Sequence, residues 1–354
     1  MPGRGSSPRT ASDPIRALRV VSSAHSHPPP HTRDSILTRL PPPRFEGTIR
    51  LGGRRRLGYA EYGPAAGRPL MWFHGTPGAR RQIAPSARAS AHERGVRIIC
   101  VERPGIGDST PHIYDTVRDF ADDMEILADA LGIDRFGIAA LSGGGPYALA
   151  CAHELPERVV AAAILGGVAP SVGEDAATGG GTAMAPLLGP LVRHARHPLG
   201  ALMRGTIKIL EPLAEQVLDL FSSIMPPGDQ RVFADESIRM MFQDDIILGS
   251  RKQMQAMFLD AALFGRDWGF FLRDIRVPIH LFYGDSDTIV PLEHGEHLAE
   301  RIPNSVLRVR AEEGHLGGLG ATQEIFDAIL GHWSEDDSPR LTLRPSGAVP
   351  SSGS

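Results

Sequence analysis

Six short, apolar-rich runs punctuate residues 69–310, and between most of them apolar residues return at every third or fourth position. PLMWFH (69–74), VRIICVE (96–102), FGIAAL (136–141), VVAAAILGG (159–167), VPIHLFYG (277–284) and SVLRVR (305–310) are short and rich in Val, Ile and Leu, so each predicts a strand. The intervening patterns over 115–132, about 144–154, 292–302 and 321–333 predict helices. Alternating strand and helix predict an α/β fold, a mostly parallel twisted sheet with helices on both faces.

The alternation breaks twice. FEGTIRL (45–51) and RRRLGYAEYG (54–63) flank Gly52-Gly53, and glycines tolerate the positive φ of a tight turn, so the sheet is expected to begin with an N-terminal antiparallel hairpin. From 170 to 268 strand patterns disappear, and amphipathic helical ones such as IKILEPLAEQVLDLFSSI (207–224) and SRKQMQAMFLDAALFG (250–265) take over. This predicts a helical cap (170–268) inserted between two parts of one core, 45–169 and 269–333. Gly179-Gly180-Gly181 lacks the Lys-Ser/Thr that would follow in a phosphate loop and reads as a flexible linker within the cap. Seven of the ten methionines fall in this stretch, as ordinary helical core or as an adaptable apolar wall over an active site.

The two ends differ in composition. Seven arginines against Asp13 and Asp34 leave residues 1–44 at +5 and the remaining chain at −9, and nine of the 30 prolines lie there. Such a segment buries too little apolar surface to offset its ordering entropy, so 1–44 is expected to be a disordered extension and 334–354 a disordered tail. Residues 1–44 lack the apolar stretch of a secretory signal; a transit segment, a plain extension and a misassigned start are the readings left open.

The 354 residues, 42% hydrophobic, suffice for a large core, and no run approaches the roughly eighteen apolar residues of a membrane span. A formal charge of −4 offers no broad basic surface to a phosphate backbone, so a small-molecule substrate is expected and nucleic acid is not. Cys100 and Cys151 both sit in apolar runs and read as buried thiols of a reducing compartment, which makes a cytoplasmic location the expectation. The oligomeric state is open.

The candidate chemistry sits where strands end. Ser142, in ALSGGGP, follows one predicted strand directly and precedes three glycines. A hydroxyl is a weak nucleophile unless a base takes its proton and a third group orients that base. Asp287, in GDSDTIVP, and His315, in EEGHLGG, each follow a later predicted strand and meet those needs. The plain alternatives are a helix N-cap for Ser142, a turn aspartate for Asp287 with Asp285 as a local rival, and a loop histidine for His315. His294 and His297, three apart among Glu293 and Glu296, have metal-ligand spacing, yet a solvated helix face is the expected reading; no metal is expected.

Taken together, these residues resemble the α/β-hydrolase superfamily over roughly residues 45–333. Ser142 in ALSGG resembles its nucleophile elbow, with Ala140 where Gly is commonest. HGTPG (74–78) resembles the oxyanion-hole loop, and ERPGIGDS (102–109) the loop after the next strand, with Glu102 where Asp is usual. The order nucleophile, acid, base is also the superfamily's, and the insertion falls where its members carry a cap. The resemblance implies a serine hydrolase that cleaves a small or medium, largely apolar ester, amide or lactone through an acyl-enzyme on Ser142. His315 would serve as base and Asp287 as its orienting acid. The amides of Gly143 and Thr76 would hold the oxyanion, with His74 and Gly75 supporting their loop; Pro77 has no N–H to offer. No metal or organic cofactor is implied. The elbow is not the Gly-x-Ser-Trp-Gly of proline iminopeptidases, and there is no Asp nucleophile of the epoxide hydrolase or haloalkane dehalogenase kind. The superfamily's acyltransferases, cofactor-free oxygenases and non-catalytic ligand binders are the alternative functions.

Overall fold

In a computed structural model of the chain, residues 19–21, 40–177 and 185–334 are described, with 19–21 and 185–193 described by backbone alone. Among the described residues nine strands form one sheet: β1 (Arg19–Val21), β2 (Phe45–Arg50), β3 (Arg56–Tyr62), β4 (Arg68–Phe73), β5 (Val96–Val101), β6 (Phe136–Leu141), β7 (Val159–Leu165), β8 (Ile279–Gly284) and β9 (Ser305–Arg310). Their spatial order is β1-β9-β8-β7-β6-β4-β5-β3-β2. β2 and β3 are the predicted hairpin, antiparallel with Phe45 opposite Glu61, and β3 runs antiparallel to β5. Every other pairing is parallel.

Alternation along the strands sorts side chains to two faces, as the period of two requires. From β4, Met71 and Phe73 enter a cluster with Phe120, Met124 and Leu127 of α2 (Phe120–Ala130), Ala148 and Leu149 of α3 (Gly145–Glu154), and Leu298 of α9 (Leu292–Arg301). Leu70 and Trp72 point the other way, to Ala87 of α1 (Pro85–Ser90) and to Ile325 and Phe326 of α10 (Thr322–Leu330). Each fully buried Leu or Phe contributes about 1.5–3 kcal/mol relative to exposure, so the two layers clamp the sheet from both sides. Cys100 and Cys151 are buried and unpaired.

Between β7 and β8 the described residues hold helices and no strand: α4 (Ala185–Leu210), α5 (Ala214–Ser223), α6 (Pro227–Phe233), α7 (Glu236–Ser250) and α8 (Ala256–Phe264). Met225, Met241 and Met254 are buried, two in the core layer shared with Trp72 and one against Ala79 and Ile106.

Two expectations need correction. Within 1–44, Arg19–Val21 lies as a strand paired in parallel with Arg308–Arg310, because the outer edge of β9 presents unpaired backbone groups that any extended tripeptide can satisfy. His294 and His297 do not form a solvated face. His294 is buried and its Nδ1 accepts from the Ala169 amide at 3.0 Å, while His297 Nε2 donates to the Asp175 carbonyl at 2.8 Å, so both rings hold the segment after β7. Gly179-Gly180-Gly181 lies outside the described residues.

Candidate active site

The carboxyl ends of β4, β6, β7, β8 and β9 converge on one side of the sheet, where open α/β sheets bind their ligands. β6 ends at Leu141, and the chain turns through a single 3-10 turn (Ser142–Gly144) into α3. That abrupt reversal puts Ser142 at φ +50, a left-handed conformation that non-glycine residues seldom adopt and that is maintained where surrounding structure enforces it. Ser142 lines a cavity of about 390 Å³ together with His315, Gly75 and Thr76.

His315 and Asp287 meet in the same place. His315 Nδ1 donates to Asp287 Oδ2 at 2.7 Å, which fixes the tautomer and leaves Nε2 as the proton acceptor. The other carboxylate oxygen, Oδ1, is held by the amides of Ile289 and Val290 at 2.8 and 2.9 Å. Gly166, just past β7, makes room for this pair: at φ +56, a Cβ there would lie 3.1 Å from His315 Nδ1 and 3.4 Å from Asp287 Oδ2. Asp285 is exposed and is not part of the arrangement; its Oδ1 accepts from the Glu312 amide at 2.8 Å.

The loop after β4 lies against the serine turn. Thr76 Oγ1 lies 2.3 Å from the ideal position of a Cβ on Gly143, so only glycine leaves room for the Thr76 side chain against the serine turn. The Gly75 amide donates to Gln82 Oε1 at 2.6 Å, and Gln82 Nε2 donates to the Pro77 carbonyl at 3.0 Å. His74 is wholly buried. Its Nδ1 donates to the Gly75 carbonyl at 2.8 Å and its Nε2 accepts from the Arg103 amide at 3.3 Å. Burial, reinforced by the Arg103 charge, holds His74 well below the ordinary histidine pKa and keeps it neutral.

Three buried carboxylates from the helical excursion complete the picture, and the sequence reading missed all of them. Asp229 of α6 accepts from the amides of His315 and Leu316 at 2.9 and 2.7 Å; burial raises its pKa. Asp245 of α7 accepts from the amides of Ala79 and Arg81 at 2.8 and 2.9 Å, and burial pushes its pKa up to about 7. Asp260 of α8 bonds to Thr76 and Tyr147. Only Asp260 carried a signal, as the single charge in AMFLDAALF, a helix otherwise apolar on every face. Asp229 and Asp245 sit in mixed polar stretches that distinguish them from no surface aspartate.

Among the described residues no three His, Cys, Asp or Glu are grouped to hold a metal ion, and no helix is long and apolar enough to cross a membrane.

The sequence profile of the alpha/beta hydrolase fold family matches residues 68–321. A 2-hydroxy-6-oxononadienedioate/2-hydroxy-6-oxononatrienedioate hydrolase of Burkholderia vietnamiensis is 26% identical over 285 residues, 77% of this chain and 88% of that protein. A proline iminopeptidase of Xylella fastidiosa is 33% identical over 119 residues, 33% of this chain and 37% of that protein. Among solved structures, a thermophilic esterase from Thermogutta terrifontis superposes with a TM-score of 0.59 at 19% identity, over 83% of this chain and 100% of the esterase, a likeness of fold.

Proposed function

We propose that this chain, which belongs to the α/β-hydrolase fold family, is a serine hydrolase acting on small or medium, largely apolar acyl compounds: esters, amides or lactones. The observation that carries the reading is the convergence of Ser142, in its enforced φ +50 turn, with the His315–Asp287 pair on one apolar cavity. Ser142 Oγ attacks the acyl carbon as His315 Nε2 takes its proton. The oxyanion is met by the amides of Gly143 and Thr76. His315 hands the proton to the leaving group, and Asp287 stabilises the imidazolium throughout. Water, deprotonated by the same histidine, then releases the acyl group from Ser142. The helical excursion acts as the cap, with α4, α5 and α7 walling the cavity through side chains such as Ile207, Leu210, Val217, Phe221, Phe242 and Ile246.

The lining also argues for uncharged substrates. Among its described residues there is no Lys or Arg; the ionisable ones are Glu211, Asp245 and the candidate base His315, and both Asp245 oxygens are already occupied by backbone amides. The Burkholderia relative is named for a dioate, whose carboxylates would find no guanidinium or ammonium among the described lining of this cavity. Burying an unpaired carboxylate costs more than several methylenes return at about 0.8 kcal/mol each. Treatment with a fluorophosphonate followed by peptide mass spectrometry tests the reading: Ser142 should be labelled, and an unlabelled Ser142 in folded protein would overturn it.

A further inference from the structure

We infer that Asp260 and Arg103 are positioning residues for the oxyanion hole, so that a carboxylate on a cap helix sets the donor geometry of the core. The inference rests on the serine hydrolase reading and goes beyond it. One guanidinium holds three successive residues of the loop after β4. Arg103 donates through Nη1 to the His74 carbonyl and through Nη2 to the Gly75 carbonyl at 2.8 Å and to Thr76 Oγ1 at 2.7 Å. Its Nε donates to Asp260 Oδ2 at 3.0 Å, and that same oxygen accepts the Thr76 hydroxyl at 2.8 Å. The second oxygen, Oδ1, accepts Tyr147 OH at 2.7 Å, from the helix that follows Ser142 and Gly143. One carboxylate therefore ties together the loop that bears the Thr76 amide and the helix whose head bears the Gly143 amide.

The chemistry of the pair argues that position, more than stability, is what it provides. Arg103 is 1% exposed, Asp260 2% and Tyr147 2%, so both charges are fully desolvated. Apolar side chains of similar volume commonly stabilise a fold as well as such a pair does, yet they cannot direct three acceptors of one loop at once. The leverage on the donor is direct, because Thr76 Oγ1 packs against the Gly143 backbone. A shift of the hydroxyl moves the two amides relative to each other, and oxyanion donors act only when aimed at the charge that develops.

The test compares Asp260→Asn, Thr76→Val and Thr76→Ser with the wild type on p-nitrophenyl butyrate, well below the melting temperature of each. Thr76→Val removes the linking hydroxyl without stranding a buried charge, so it decides the matter even where Asp260→Asn does not fold. Thr76→Val is expected to lose roughly 10- to 100-fold in kcat with KM within about threefold, to lose affinity for phenylboronic acid, which forms a tetrahedral adduct, by the same factor, and Thr76→Ser is expected to recover most of both. Asp260→Asn, where folded, should do as Thr76→Val does. Lowered melting with kcat and boronate affinity unchanged would overturn the inference and leave a purely structural tie. Failure of the wild type to label at Ser142 with a fluorophosphonate would instead remove the serine hydrolase reading, and this inference with it.

Discussion

At the scale of single residues, the geometry separates groups that the sequence left as rivals. Asp287 reaches His315 while Asp285, two residues away, faces solvent and caps the Glu312 amide. Asp287→Asn should cost on the order of 10³–10⁴ in kcat, because an amide cannot hold the required imidazole tautomer and stabilise its charge. Asp285→Asn should stay within about twofold, as exposed substitutions do. Steady-state kinetics of the two variants check the assignment, and a reversed order would put the acid at 285. Ser142→Ala removes the proposed nucleophile from a turn whose backbone is set by its neighbours. Turnover should fall by roughly four orders of magnitude or more, with the melting temperature essentially unchanged.

At the scale of elements, the site depends on how strand ends and helices dock. The turn after β7 passes beneath the His315–Asp287 pair, and Gly166 is the residue that allows it. Gly166→Ala would combine a strained φ of +56 with a methyl pressed on the imidazole. A loss of about 1–2 kcal/mol from the conformation alone is expected in chemical denaturation, together with a fall in kcat larger than that of a remote alanine substitution. Helix α7 docks on the loop after β4 through Asp245, whose pKa is raised from an ordinary 3.8 to about 7 by burial. The folded state therefore keeps a proton that the unfolded chain has already released. Asp245 adds its full stability below about pH 4, loses it progressively as the pH rises towards 7, and adds nothing further above that. Melting temperatures of wild type and Asp245→Asn, measured from pH 5 to 8, should differ in slope, the variant falling less steeply. Parallel curves would mean that Asp245 is ionised throughout.

For the whole molecule, the helical excursion and the sheet together decide what the cavity receives. Phe221 and Phe242 face it, whereas Phe233 stacks beneath Phe242 and Phe264 packs on Tyr147, so part of the apolar volume of these helices braces the wall instead of forming it. With no Lys or Arg among the described lining, kcat/KM should be higher for neutral acyl esters than for carboxylate-bearing ones of equal length, by roughly tenfold or more. A chain-length series of both kinds measures this directly. A preference for the charged series would require a cation that reaches the cavity from elsewhere in the chain.

By itself the sequence determined the alternation of strand and helix, the hairpin at the start of the sheet, the helical stretch between β7 and β8, and the residues at strand ends. These are local: a buried strand needs a run of apolar residues, and a sharp turn needs Ser142 flanked by small neighbours. The tertiary structure alone decided which buried polar groups meet. His315 and Asp229 lie 86 residues apart, Ala79 and Asp245 166, and Thr76 and Asp260 184. Periodicity carries no record of such partners, because a carboxylate on a helix reads the same whether water or a core amide receives it. The inward turn of His294 and His297, and the pairing of Arg19–Val21 with β9, escaped for the same reason: burial and edge pairing are settled by what the rest of the chain brings alongside.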